Sequence, residues 1–592
     1  MHRTYRPASL DDRTFWNRAV ELLRSDPRFL ITPEELKAVP DRPALPSASD
    51  YLAARRSNDR ARVDKHWHDR VHGLALLLAN RCGKGVDPND ADDRLLNWLF
   101  DLTYEPSWVV SAHLPKNDLI LSGTAQFDLS ATELMAGLAE GRWLALPWLT
   151  QQTQTLDASI VTEIDRRTLT PFGNGQEEKW ARLTGPTMNW AGVCAGNILA
   201  TTLALAAQGF ERPAARDRAL KVLHHFFDAG FTTSGECDEG IGYWNYGVDF
   251  ACMGLMGLDE KSFSGSVDVK RLSEVASFPS RAHLIGSTFF ASNDSARTAS
   301  APISARWLAL VTGDQFLNWW DAIAPSKVYR NPCTLTRALW LSMQPIDAAP
   351  TTQPTHPEAR LLPDQQVGIF QRPTPRGLVT FTVTGGNNVE NHNHNDIGTF
   401  QFYIDNRALI PDLGAPQYVT DFFGPQRYKK FMVAASSGHC CPSVNGVEQV
   451  AAEGTDSKLV EFDAKTRSIE LDCTAAYPKE AGLKQWRRRS TMDADGTVTI
   501  VDRFDAKGEI VHRIWLDDGE PRTNVDGVVE TKSLHLSITP KPQKIEVASF
   551  KAGDERLLLR EWKADHVLYR VDATYAAKGA EPLTVTTTIQ AR

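Results

Sequence analysis

Five prolines, Pro345, Pro350, Pro354, Pro357 and Pro363, punctuate a Thr/Ala-rich stretch in the middle of the chain, and the hydrophobic pattern changes in kind across it. Proline fixes φ and lacks the N–H that a helix needs, so no helix passes through such a stretch. Before it, Val63–Leu78, Asp92–Tyr104, Ala131–Ala139, Asp157–Arg167, Trp190–Ala207, Arg216–Phe227 and Tyr243–Met256 carry apolar residues at helical spacing, with no convincing strands between them. After it come short β-rich runs: Gly377–Thr384, Thr399–Ile404, Lys458–Phe462, Ser468–Cys473 and Lys484–Met492. Asp493-Ala494-Asp495-Gly496 then turns into Thr497–Phe504, followed by Ile514–Leu516, Ser533–Ile538, Arg556–Trp562, His566–Tyr575 and Leu583–Ile589. The expectation is an α+β chain: a helical part over 1–345, a linker over 346–363 and an antiparallel sandwich over 364–592. Bundle, solenoid and toroid are all open for the helices.

At 592 residues the chain is too long for a single core. Its net charge of −8 offers no basic footprint for nucleic acid, so an acidic ligand must be met by local charge in a cleft. No apolar run is long enough to span a bilayer. The N-terminal Met1-His2-Arg3-Thr4-Tyr5-Arg6 runs into the charged stretch Asp11–Arg24 with no apolar leader core. The eight cysteines form no CxxC pair. A reducing cytoplasm is the expected home, or the periplasm if a leader was removed.

Chemistry concentrates in Asn391-His392-Asn393-His394-Asn395-Asp396. Six of the ten residues from Asn387 to Asp396 are Asn or Asp and two more are His, a polar density that no core tolerates without partners. The segment precedes the expected strand Thr399–Ile404; read as its extension, it places His392 and His394 on one face. Asp412 follows Arg407-Ala408-Leu409-Ile410-Pro411, and His439 follows Ser436-Ser437-Gly438. Two histidines and a carboxylate from separate segments make a plausible zinc set.

Two stretches of the helical part also stand out. Met188-Asn189-Trp190 opens an apolar helix, where Asn serves well as an N-cap. Glu236-Cys237-Asp238-Glu239-Gly240-Ile241-Gly242-Tyr243-Trp244-Asn245-Tyr246 sets aromatic rings, the kind that line sugar sites, among acids and glycines. Tyr243 and Tyr246, three apart, share a helix face.

Taken together, the Asn-aromatic helix start, the Glu-Gly-x-x-Tyr-x-x-Tyr helix and the His-x-His-x-Asp-x-Gly segment resemble the heparinase II/III-type polysaccharide lyases, a group that includes heparinases and exo-acting oligoalginate lyases. The resemblance runs from about Trp98 to Gly446. It implies an incomplete (α/α) toroid joined to an antiparallel β-sandwich, and cleavage of a uronate-containing glycan by β-elimination. It casts Tyr246 as catalytic tyrosine, Asn189 as the amide holding the uronate carboxylate, and His392 as the cleft histidine. His394, Asp412 and His439 become ligands of one structural Zn2+. Trp190, Glu239, Tyr243, Asn388 and Tyr428 are the expected substrate contacts, Tyr428 as a second cleft tyrosine. Some alginate-acting relatives carry Asn-His where this chain has Asn189-Trp190, which leaves the choice of glycan open. The expected partner is a uronate oligosaccharide or polysaccharide, with neither nucleic acid nor membrane, and possible homodimer formation.

β-Elimination removes the proton alpha to a carboxylate, so the site must neutralise that carboxylate, take the proton and protonate the leaving oxygen. One tyrosine can do both proton transfers on the same face of the sugar; His392 and Tyr246 would divide them on opposite faces. The rivals are a glycoside hydrolase using carboxylates among Glu236, Asp238 and Glu239, a catalytic zinc hydrolase on the His/Asp cluster, and a non-catalytic glycan-binding protein.

Overall fold

The computed structural model describes residues 13–47, 49–50, 52–53, 66–84, 93–110, 113, 127–175, 179–344, 352–419 and 421–592. The start of the Asp11–Arg24 stretch, residues 63–65 and 92 of two expected helices, and positions 345–351 of the proline-rich stretch lie outside them. The chain divides into two compact units. One comprises Met1–Phe231, Trp244–Ala276 and Ser300–Thr352; the other comprises Thr232–Tyr243, Ser277–Ala299 and Gln353–Arg592.

The first unit is helical. Its helices include His66–Lys84, Asp93–Tyr104, Leu129–Gln152, Gln154–Ile164, Asn189–Ala206, Pro213–Ala229 and Pro332–Ser342. Asn189–Ala206 is apolar around nearly its whole circumference and almost entirely buried, as a helix must be when neighbours surround it. Asp128 caps Leu129–Gln152 by accepting from the Ala131 N–H at 2.8 Å. Asn331 forms a capping box with Thr334 at the head of Pro332–Ser342. Among the described residues of this unit, the ion pairs Arg337 with Glu140 and Arg70 with Glu105 are fully buried. Each arginine satisfies a carboxylate that could not be buried alone.

The second unit is built on two antiparallel sheets. A five-stranded meander runs Ala359–Leu362, Val367–Thr374, Gly377–Val383, Phe400–Ile404 and Arg407–Ile410 in chain order. The larger sheet has eleven strands around Val498–Leu516. The first half of that strand pairs with Leu483–Met492 and Leu583–Ala591; its second half pairs with Val567–Lys578 and Ser443–Val444. Phe370, Phe381, Phe400 and Phe402 of the meander share one core with Trp486, Ile500, Phe504 and Trp515 of the larger sheet, which makes the pair a sandwich.

Several expectations change. Thr497–Phe504 and Ile514–Leu516 belong to one continuous strand, because the charged residues between them face outward and keep the alternation. Arg556–Trp562 is not a strand: it is turns and loop, with an isolated bridge from Leu559 to Pro416. Lys544–Lys551 is a strand that its charged, mostly exposed sequence concealed. Ala359–Leu362, inside the expected linker, is the first strand of the meander. A small hairpin, His283–Ile285 with Thr288–Phe289, interrupts the helical run and belongs to the second unit. The histidine segment is not the edge of a strand either. It lies in the connection between Gly377–Val383 and Phe400–Ile404, and His392 has φ +57°. A strand cannot continue through a left-handed residue, so the shared face expected for His392 and His394 does not exist.

Candidate active site and metal centre

The connection between the third and fourth meander strands is tied through its polar groups to Gln449 and Val450, which lie outside it. Gln449 accepts from the Ile397 N–H at 3.1 Å and donates to the Ile397 carbonyl at 2.7 Å. Asn395 donates to the Gln449 carbonyl, and Asn388 donates to Gln449 and to the Val450 carbonyl. The Ile397 peptide groups and the amide donors of Asn388 and Asn395 thus find partners in the Gln449–Val450 segment. Asn388, expected to touch substrate, is fully buried within this network. Gly398 closes the loop at φ +88°, and a Cβ there would stand 2.5 Å from the Trp486 ring. Only glycine fits that position.

The left-handed turn at His392 separates the two histidines. His392 keeps a side chain 17 % exposed, whereas His394 is wholly buried. His392 stacks on Tyr243, ring centroids 4.3 Å apart. Its Nδ1 donates to Asp294 Oδ2 at 2.9 Å and lies 3.2 Å from the Tyr243 hydroxyl and 3.1 Å from the Tyr418 hydroxyl. The Tyr418 hydroxyl donates to Asp294 Oδ2 at 3.0 Å and is hydrogen-bonded to that of Tyr243. His392 Nε2 faces the Glu239 carboxylate at 3.6 Å, beyond hydrogen-bond distance. Arg427 donates to both Asp294 oxygens and to the His392 carbonyl.

Tyr243 stands in the first turn of the helix Ile241–Leu255, and its placement is local. Gly240 turns the chain at φ +86°, with a Cβ position 2.5 Å from Ser295 Cβ, and Ser295 Oγ accepts from the Gly242 N–H at 3.1 Å. Glu236, a carboxylate of the hydrolase rival, serves this placement: it accepts from the Gln365 N–H and from Arg281 and is fully buried. Asp294 is held by the loop after the small hairpin, where Gln401 donates to the Ala291 carbonyl at 2.8 Å.

Burial and the neighbouring Asp294 charge push the Tyr243 phenol well above its ordinary pKa, and the same two causes raise Tyr418 further. Burial would also raise Asp294, but the hydrogen bonds from His392 and His394 and the Arg427 charge outweigh it and hold the carboxyl well below the usual range. The two phenols are proton donors in this environment.

His394, Asp412 and His439 form the second cluster, their ligating atoms all within 4.8 Å of one another and fully buried. His394 Nε2 donates to Asp294 Oδ1 at 2.9 Å and His439 Nε2 donates to the Val433 carbonyl at 3.0 Å. Each ring therefore presents the lone pair of Nδ1, and neither Nδ1 has a hydrogen-bond partner. Asp412 Oδ1 is taken by the Gly414 N–H, leaving Oδ2 equally unpartnered. His439 Nδ1 lies 3.2 Å from that Oδ2 but out of line for a hydrogen bond. Three buried lone pairs aimed at one point, with both tautomers fixed by outer partners, can hold a metal ion.

The remaining expected residues are in other company. In the helical unit, the Tyr246 hydroxyl donates to buried Glu133 at 2.5 Å, with the Arg330 guanidinium 4.6 Å above its ring. Burial and the Glu133 charge push this phenol well above its usual pKa. Asn189 is the first residue of its helix, not the cap; that position is Met188, which makes no side-chain capping bond. Trp190 is half-buried beside His113, centroids 4.5 Å apart. Tyr428 accepts from Asn393 at 3.3 Å. Sequence reasoning missed Tyr418, Asp294 and Arg427; the one available signal was the polar run Ser292-Asn293-Asp294-Ser295 directly after apolar Phe289-Phe290-Ala291.

Residues 371–561 match the family model described as Heparinase II/III-like, C-terminal. The chain carries a heparinase II/III-like domain. The matched residues include the histidine loop, Tyr418, Arg427 and the metal-capable triad, whereas Tyr243 and Asp294 join the heparinase II/III-like domain from outside the match. No curated protein matches the chain by sequence. Among solved structures, a heparinase III is 13% identical with a TM-score of 0.61, over 97% of this chain and 89% of that one. A heparan sulfate lyase from Pedobacter heparinus is 12% identical with a TM-score of 0.56, over 90% and 77%. A xanthan lyase from Paenibacillus is 11% identical with a TM-score of 0.50, over 99% and 58%. These likenesses establish the fold, a helical region followed by an antiparallel β-sheet domain.

Proposed function

We propose that the chain is a polysaccharide lyase that cleaves a 4-linked uronate-containing glycan by β-elimination, working from a chain end on oligosaccharides. The observation that carries this reading is His392, held between the Asp294 carboxylate and the hydroxyl of Tyr243, in a heparinase II/III-like domain. Because Nδ1 keeps its proton and donates it in a hydrogen bond to Asp294, Nε2 is the nitrogen that takes the C5 proton. Burial and the Asp294 charge keep the Tyr243 phenol protonated, so it carries the proton that the leaving oxygen takes as the C4–O bond breaks and the C4–C5 double bond forms. The proton on His392 Nε2 then passes to solvent, and Tyr243 takes one back from solvent, which restores both groups. This reading moves the tyrosine role from Tyr246 to Tyr243. Asn189 is retained as the proposed amide for the uronate carboxylate; Asn189→Ala is expected to lower kcat more than affinity.

His394, Asp412 and His439 fit zinc by donor type, and we assign them one structural ion. Bound there, it would tie the histidine loop to the segments after Ile410 and Gly438; no proton transfer involves it.

One observation favours a hydrolase. Glu390, hydrogen-bonded to Asn293, has a carboxyl that burial and Asp238 push well above the carboxylate range, as a general acid requires. A panel of uronate oligosaccharides separates the two. The unsaturated product of elimination absorbs short-wavelength ultraviolet light, and product size distinguishes end-wise from internal cleavage. Cleavage without absorbance would replace the lyase by the hydrolase.

A further inference from the structure

One carboxylate serves both clusters of the second unit. Asp294 Oδ2 accepts from His392 Nδ1 at 2.9 Å and from the Tyr418 hydroxyl at 3.0 Å. Its Oδ1 accepts from His394 Nε2, also at 2.9 Å. The carboxylate is fully buried, and Arg427 reaches both oxygens at 3.3 and 3.2 Å. The two oxygens are rigidly joined, so a rotation that loosens one imidazole loosens the other. Asn293 adds a second tie, accepting the His394 N–H at 2.9 Å.

We propose that Asp294 is a positioning residue that couples metal loading at His394, Asp412 and His439 to the orientation and tautomer of His392. With Nδ1 of His394 engaged by a cation, its Nε2–H becomes a stronger donor to Oδ1 and pins the carboxylate. The pinned Oδ2 then holds the proton of His392 on Nδ1 and leaves Nε2 as the acceptor. With no cation engaged, the His394 donor is weaker, only Arg427, Tyr418 and the two neutral imidazoles hold the carboxylate, and the proton of His392 is shared between Nδ1 and Nε2. The kinetic arm of the test below rests on the proposed lyase reaction; the binding and spectroscopic arms do not.

The experiment uses the full chain labelled with 15N-histidine, stripped of metal by a chelator and titrated with zinc, with His392→Gln identifying the His392 signals. One equivalent of zinc is expected to convert the His392 nitrogens from a tautomeric average to the pattern of protonated Nδ1 and bare Nε2, although His392 is not a ligand. His392 signals that ignore zinc would overturn the proposal. Asp294→Asn, which keeps the shape and removes one acceptor, is expected to weaken zinc affinity about tenfold to a hundredfold in a competition assay against a chromophoric chelator. At saturating zinc its kcat is expected to stay depressed with KM little changed. Zinc affinity within twofold of the parent, or full recovery of kcat with excess zinc, would equally overturn it. Should Asp294→Asn fail to fold, the titration of the unaltered protein decides alone. A protein with no lyase activity that still shows the zinc-dependent His392 change would reject the reaction and keep the coupling.

Discussion

Tyr243 and Tyr246 are three residues apart in one helix and keep different company: Tyr243 stacks on His392, while Tyr246 gives its proton to Glu133. Tyr243→Phe is therefore expected to lower kcat by about two to four orders of magnitude with KM little changed, the range of a lost general acid. Tyr246→Phe leaves buried Glu133 without its donor and is expected to cost about 1–3 kcal/mol of stability with a far smaller effect on kcat. Ultraviolet absorbance of the product and a thermal melt of each variant measure the two effects. His392, His394 and both tyrosines were legible in the sequence because they stand in dense polar or aromatic runs, and Asp412 and His439 because their donor types complete a metal set. Their division of labour was not. It depends on Asp294, 98 residues before His392, and on Tyr418, in a stretch without a pattern, and such contacts leave no trace in local spacing.

At the scale of elements, helical and β periodicity placed most segments to within a few residues, since each buries one face or one stripe. What periodicity does not encode is the conformation of the loop joining Gly377–Val383 to Phe400–Ile404. Its Asn and His residues read as a strand extension, yet φ +57° at His392 and +88° at Gly398 bend it into a cradle. Gly398→Ala places a methyl 2.5 Å from the Trp486 ring in a left-handed conformation, and about 1–3 kcal/mol of destabilisation is expected. Because the same loop carries His392 and His394, weakened zinc binding should accompany the lowered melting temperature. A lowered melt with unchanged zinc affinity would place the strain in the core alone.

For the molecule as a whole, the two units need not melt together, and the second holds the metal-capable cluster and three histidines whose pKa values burial lowers strongly. Chelation is expected to lower its transition by several degrees, and added zinc to restore it, because a ligand that binds only the folded state adds stability by mass action. The acid response comes from His512, His283 and His356, whose pKa values burial lowers to about 4, about 3 and about 4 from 6.5. The folded values are depressed, so the stability these groups contribute is complete above about pH 6.5 and drains away as pH falls toward 4. His512→Gln should flatten the melting temperature between those limits, measured against the parent by calorimetry. No helix among the described residues is long and apolar enough to cross a membrane. The strand Leu583–Ala591 lies between Leu534–Thr539 and the first half of Val498–Leu516, in the interior of the larger sheet. During synthesis, then, both neighbours must wait with open edges until residue 591 has left the ribosome, and this waiting interval is where a chaperone would be needed most.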